Sequence, residues 1–203
     1  MTRHYGILPF FKNRIPGWSV AEICDPRVYF TSLDGPWEWK GPLAADKTVI
    51  YGKLLRGKAA FVSPEWFVEL AHWRREGYDW DARAEEGLAP RGDMLLMRYL
   101  ETHPMIQSRY ARRECGVSEG YDSVLTRLEM QTYVVTADFQ YDISKSGKPY
   151  GWGNAVIIRA DQWLDDMPAP RGRTPEESFE LIVSHLMELM PQADGTALRH
   201  ELK

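Results

Sequence analysis

"TYVVTADFQYDISKSGKPYGWGNAVIIR", residues 132 to 159, decides how the chain is read. Tyr133, Val135, Ala137, Phe139, Tyr141 and Ile143 alternate with polar or smaller residues, which is the period-two pattern of a strand with one buried face. "SKSGKP" then supplies a turn whose Gly-Lys-Pro tip is flexible and basic, and a return strand follows it. Immediately upstream, the spacing of apolar residues changes to that of helices. Asp93 can cap a helix carrying Leu95, Leu96, Tyr99 and Leu100 and closed by Pro104, and "MIQSRYARRECG" forms a second that stops at Gly116. The third, "EGYDSVLTRLEMQ", follows a Ser118 cap and turns Val124, Leu125 and Leu128 inward. Three helices followed by a two-stranded ribbon predict a winged helix-turn-helix over residues 93–159.

The flanks complete an α+β fold with a small antiparallel sheet at the N-terminal side and one packing helix at the C-terminal side. Ser19 caps a short helix. In "SPEWFVELAHWRREG", Ser63 is the cap, Pro64 takes the first helical position, where its missing N–H is no loss, and Gly77 is the stop. "TPEESFELIVSHLMELMP" repeats that grammar with Thr174, Pro175 and Glu177. Its stripe of Phe179, Ile182, Val183, Leu186, Leu189 and Met190 must bury against something. Between the first two of these helices, "VYFTS", "PWEWKGPL", "TVIYGKLL" and "KAAFVS" are short and aromatic or β-branched, and Arg56-Gly57 is a turn signal between two of them. They predict strands over about 28–62. "REGYDWDARAEEGLAPRGD", 75–93, reads as a linker, and "DDMPAPRGR", 165–173, as a second break. The expected units are therefore an aromatic sheet with flanking helices over 1–80, the winged helix over 93–159, and the packing helix over 174–192.

With 203 residues, 44% of them apolar, the chain can bury a core without disulfide or metal staples. Cys24 and Cys115 stand alone, in the manner of reduced cytoplasmic thiols, and no apolar run is long enough to span a bilayer. No metal, no cofactor and no membrane association are expected. His72 and His103 lack ligand-spaced neighbours, and Asp79, Asp81, Glu85 and Glu86 lack the order of a calcium loop. No phosphate loop or hydrolase motif occurs.

A winged helix lays its third helix in the major groove of duplex DNA and its wing on the neighbouring backbone. The candidate DNA contacts are Arg109, Arg112 and Arg113 on the second helix, Ser123, Thr126 and Arg127 on the third, and Lys145 and Lys148 on the wing. Arg127 has the fork for a guanine edge, and Ser123 and Thr126 suit phosphates. Against this, the net charge is −4, residues 94–159 carry eight basic and seven acidic side chains, and Glu119 and Asp122 would face phosphates. In "GPWEWKGP", 35–42, a strand would put Trp37 and Trp39 on one face, as an aromatic platform, and Glu38 with Lys40 on the other, wet one.

"MIQSRYARRECGVSEGYDSVLTRLEMQTYVV" with "DFQYDISKSGKPYGWG", preceded by "PWEWKGP" and "RREGYDWDAR", resembles a group of short bacterial winged-helix proteins described as AlkZ-related. These are remote relatives of AlkZ and YcaQ, bacterial DNA glycosylases that release alkylated or crosslinked bases. The resemblance implies a winged-helix fold and a DNA setting, in repair or regulation. In the glycosylases a Gln-x-Gln or Gln-x-Asp motif near the N-terminal part positions the attacking water. Here no glutamine precedes Gln107, and the triplet Gln140-Tyr141-Asp142 falls on the first wing strand, so the resemblance carries no catalytic residue across. A glycosylase-like enzyme and a non-enzymatic interaction module stand as the alternatives to a DNA-binding protein.

Overall fold

The computed structural model describes residues 2–29, 35–164, 170 and 172–203, and for Arg3 only the backbone. In chain order the elements are α1 (Thr2–Tyr5), β1 (Ile7–Pro9), α2 (Val20–Ile23), α3 (Pro36–Ala45), β2 (Ile50–Leu55), β3 (Lys58–Val62), α4 (Pro64–Arg74), α5 (Trp80–Glu85) and α6 (Arg91–Thr102). There follow β4 (Ile106–Gln107), α7 (Ser108–Glu114), α8 (Tyr121–Met130), β5 (Val134–Ile143), β6 (Pro149–Arg159), α9 (Ala160–Trp163), α10 (Pro175–Leu189) and α11 (Gly195–Leu202).

The strands join into one six-stranded antiparallel sheet of order β1-β3-β2-β5-β6-β4, larger than the small one expected. The Arg56-Gly57 turn closes the β2–β3 hairpin with both residues at positive φ, +51° and +69°, as a tight hairpin turn requires. β2 continues onto β5 through the Tyr51–Thr136 pair, so the N-terminal hairpin and the β5–β6 hairpin share a single sheet.

Each face of that sheet is covered. Val135, Ala137 and Ile158 enter one core with Leu54, Phe61, Phe67 and Leu70 and the α10 residues Ile182, Val183 and Leu186. Val134 and Ile157, one position along on each strand, enter a second core with Leu96, Leu100, Ala111, Val124, Leu125 and Leu128 of α6, α7 and α8. Because strand side chains alternate, a strand covered on both sides is buried at every position, and Val134 to Ala137 all are. The half-buried strand expected from the alternation is not what forms: beyond Ala137 the alternation is broken as well, and Ile143, expected inward, is 62% exposed.

Helix starts follow the sequence grammar in most places. Ser63 accepts the Trp66 N–H, Ser19 accepts the Glu22 N–H, and Thr174 with Glu177 forms a complete capping box. α10 buries Phe179, Ile182, Val183 and Leu186, is followed by buried Met190, and packs on α4.

Several expectations are corrected. "PWEWKGPL" is helix, not strand: Pro36 sits at the first helical position after Gly35, and Gly41 packs against Asp138 and Phe139 of β5. Of "VYFTS", Val28 and Tyr29 lie in a turn and the rest falls outside the described residues. The third N-terminal strand comes instead from Ile7–Pro9. The 75–93 stretch holds α5, capped by Asp79 and anchored by buried Trp80, whose ring meets Tyr133 at 5.3 Å. Asp93 is not a cap. It lies inside the first turn of α6, buried, and Gly120 at φ +69° precedes α8 in place of Ser118. The 165–173 break falls largely outside the described residues. Among the described residues no helix is long and apolar enough to cross a membrane.

Candidate nucleic-acid interface

The third helix of the 93–159 region does not present the surface expected of it. The Arg127 guanidinium is laid on the Asp93 carboxylate through two nitrogens, Nε reaching Oδ2 at 2.8 Å, and Asp93 itself is 1% exposed. Thr126 accepts a hydrogen bond from Lys53 Nζ at 3.0 Å, and its methyl group abuts Gly57. Met130 is met by the Gly57 N–H and by Arg74, which donates to the Met130 carbonyl at 2.5 Å. The β2–β3 turn thus lies over the last two turns of α8. What remains exposed is the N-terminal end, with Glu119, Asp122 and Ser123, and Asp122 is paired with Arg112. This end offers phosphates more repulsion than attraction.

The inward side of α8 holds Glu129, 3% exposed. Burial raises its carboxyl to about 7, against the pull of the Lys53 ammonium, the Lys53 N–H and the Thr136 hydroxyl. Its Oε2 has no partner among the described residues. The group is sealed between α8 and β2, out of reach of any ligand.

The β5–β6 hairpin is different. Its far half, from Asp138 outward and back to Asn154, holds no fully buried residue, although Phe139 still packs against the first core, and its tip carries exposed Lys145 and Lys148. The lysines have no acidic partner among the described residues. Beside the hairpin, α7 carries Arg109 and Arg113, both laid on the Tyr110 ring at 5.1 and 4.9 Å. Arg109 grips Asp142 through both terminal nitrogens, at 2.9 and 3.1 Å. That bond holds the Asp142 carboxyl below its usual range and the Arg109 guanidinium above its own. Arg113 has no acidic partner among the described residues.

Of the Gln140-Tyr141-Asp142 triplet, Gln140 accepts from Gln107 Nε2 at 2.6 Å, Asp142 is tied to Arg109, and the Tyr141 hydroxyl donates to Glu38 at 3.3 Å. Gln140 and Asp142 are already bonded and open to solvent, without the burial that raises a carboxyl for acid chemistry.

The expected Trp37/Trp39 platform is divided by the helix. Positions two apart on a helix lie on nearly opposite sides, so Trp37 turns inward against Phe10 while Trp39 stays at the surface. Lys40, expected on a wet face, is 1% exposed, with its ammonium 4.1 Å from the Trp37 ring and 4.3 Å from Phe139, donating to the Trp37 carbonyl. Burial lowers it to about 8, with Glu38 opposing. The aromatic neighbour of Trp37 on the solvent side is Trp152 of the hairpin, edge-on at 5.6 Å, a residue that sequence reasoning passed over. Its signal was the glycine on either side, in "YGWGN".

Among the described residues no three His, Cys, Asp or Glu side chains gather in a way that could hold a metal. His72 bonds Ser178 where α4 meets α10, and His103 closes α6 and stacks on Tyr99.

A six-stranded antiparallel sheet with helices on both faces, extended at one end by a basic and aromatic hairpin, defines an α+β protein. The chain belongs to the family described as AlkZ related, whose model matches residues 1–203. No curated protein and no solved structure matches it.

Proposed function

We infer that the chain is a winged-helix protein that binds DNA through its wing and second helix, with the third helix serving as scaffold. The element order α6, β4, α7, α8, β5, β6, with β4 paired to β6, supports the winged-helix reading. The family relationship to DNA glycosylases supports the DNA setting. The observation that carries the choice of surface is the pairing of cations. Arg127, Arg112 and Arg109 are neutralised by Asp93, Asp122 and Asp142, whereas Lys145, Lys148 and Arg113 have no such partner among the described residues. Unneutralised cations are the ones that release counterions from a phosphate backbone.

Fluorescence anisotropy on a labelled duplex at low salt tests this. Wild-type protein should bind, and the Lys145→Glu, Lys148→Glu, Arg113→Glu triple variant should lose affinity by about 100-fold or more. The dependence of log K on log salt should become shallower by up to about 3, near 0.9 for each phosphate that is no longer neutralised. A triple variant that binds as the wild type does would overturn the assignment. The glycosylase-like alternative rests on the family relationship, and unchanged base release from alkylated DNA after Gln140→Ala with Asp142→Ala would remove those two residues from it. A protein-interaction role through a Trp37/Trp39 platform has lost its basis, since the two indoles no longer share a face.

A further inference from the structure

Between Gln140↔Asn154 and Asp142↔Tyr150 the ladder advances two residues on β5 and four on β6, so β6 carries a bulge over residues 151–153. The bulge is written into the sequence as Gly-Trp-Gly. Gly151 and Gly153 hold φ of +84° and +74°, a region where side chains other than glycine are strained, and a Cβ on Gly153 would stand 3.1 Å from the Tyr141 ring. Bulges re-aim the side chains they carry. This one holds an indole in the open: Trp152 is 68% exposed, yet its ring is braced edge-on by Trp37, which is itself fixed by Phe10 and by the Lys40 ammonium. Nearby Tyr150 and Ile143 are 57% and 62% exposed. A large ring left in water and braced from behind loses little freedom when something stacks on it. The cations at the tip of the same hairpin, Lys145 and Lys148, select an anionic partner.

The structure assigns Trp152 as a stacking platform for an unpaired base, so that the protein favours nucleic acid with an unstacked nucleotide over an intact duplex. This inference rests on the DNA-binding reading above and deepens it. A basic track together with an aromatic face is what single-stranded sites use, because every base has a π-face whereas a closed duplex offers none at its side. The lysines at the tip supply the backbone contact in both cases. Only the indole distinguishes the two substrates.

The test compares four labelled probes by anisotropy at one salt concentration: a single strand, an intact duplex, and the same duplex with a one-base bulge or a one-nucleotide gap. Wild-type protein should bind the single strand, the bulge and the gap about tenfold more tightly than the intact duplex. Trp152→Ala should remove that difference and leave intact-duplex affinity within about twofold, while Trp152→Phe should retain most of it. Gly153→Ala, which cannot keep the bulge without strain, should act as Trp152→Ala does, with circular dichroism confirming the fold of each variant. Equal wild-type affinity for all four probes overturns this inference and leaves the DNA-binding reading standing. So does a preference that survives Trp152→Ala. Failure to bind any probe overturns both.

Discussion

The β5–β6 hairpin is two structures on one pair of strands. Its near half, Val134–Ala137 with Val156–Arg159, is buried at every position, because cores press on it from both sides of the sheet. Its far half carries Lys145, Lys148, Tyr150 and Trp152 into solvent. The ladder does not end between the two halves. What ends is the double cover: the core built on α6, α7 and α8 reaches Val134 and Ile157, whereas α3 lies against Asp138 and Phe139. Exposure here is therefore a property of what packs on a strand and not of the strand itself. A rigid, doubly covered base is also what lets an exposed hairpin hold its tip in a defined place.

Substitutions in each half probe this division. Ile157→Ala in the near half should have the largest effect, lowering unfolding free energy by about 3 kcal/mol in urea denaturation, because a fully buried branched side chain leaves a cavity between two covered layers. A loss under about 1 kcal/mol would mean the second core is loosely packed.

Next comes Glu129, which gives the buried region a pH dependence. Its folded value is raised to about 7 from an ordinary 4.5, so the folded state holds a proton that the unfolded chain releases. The stability from that proton is fully present below about pH 4.5 and is lost as pH rises through 7, on the order of 2 to 3 kcal/mol over the window. In Glu129→Gln the slope of stability against pH between 5 and 8 should flatten. An unchanged slope would place the titrating group elsewhere.

Arg127→Ala leaves Asp93 buried without its partner and should cost about 2 kcal/mol, at the low end for a buried pair because the arginine is itself 40% exposed. It should leave DNA affinity within about twofold, which separates a structural arginine from one that reads bases. Smallest of all, Ile143→Ser or Tyr150→Ser in the far half should shift stability by less than about 0.5 kcal/mol, read as a change in the urea midpoint. A larger shift would mean that the tip is packed against something.

Local signals in the sequence found much of this. The caps Ser19, Ser63 and Thr174, the turn at Arg56-Gly57 and the span of β5 were legible, because each depends on a few adjacent residues. Three features were not. Gly35-Pro36 opens α3 and Gly41-Pro42 lies inside it, although in the sequence the two pairs look like turns on either side of a strand, and aromatic content favours strand only where a pleated surface receives it. α5 is too short to show a period and hides one buried tryptophan among charges. The platform residue Trp152 was passed over because a bulge breaks the alternation by which strand faces are counted.

Where α2, α4 and α10 start, where β2 turns into β3, that two strands follow three helices, and which family the chain resembles could all be read from the residues alone. These follow from backbone restrictions and side-chain reach over three or four residues. Which surfaces are left for a ligand was settled only by packing between distant parts of the chain. Arg127 and Thr126 look like DNA contacts until Asp93, thirty-four positions before Arg127, and Lys53, seventy-three positions before Thr126, are folded against them. A polar side chain is available for binding only if nothing distant in the chain has satisfied it first, and no local pattern records that.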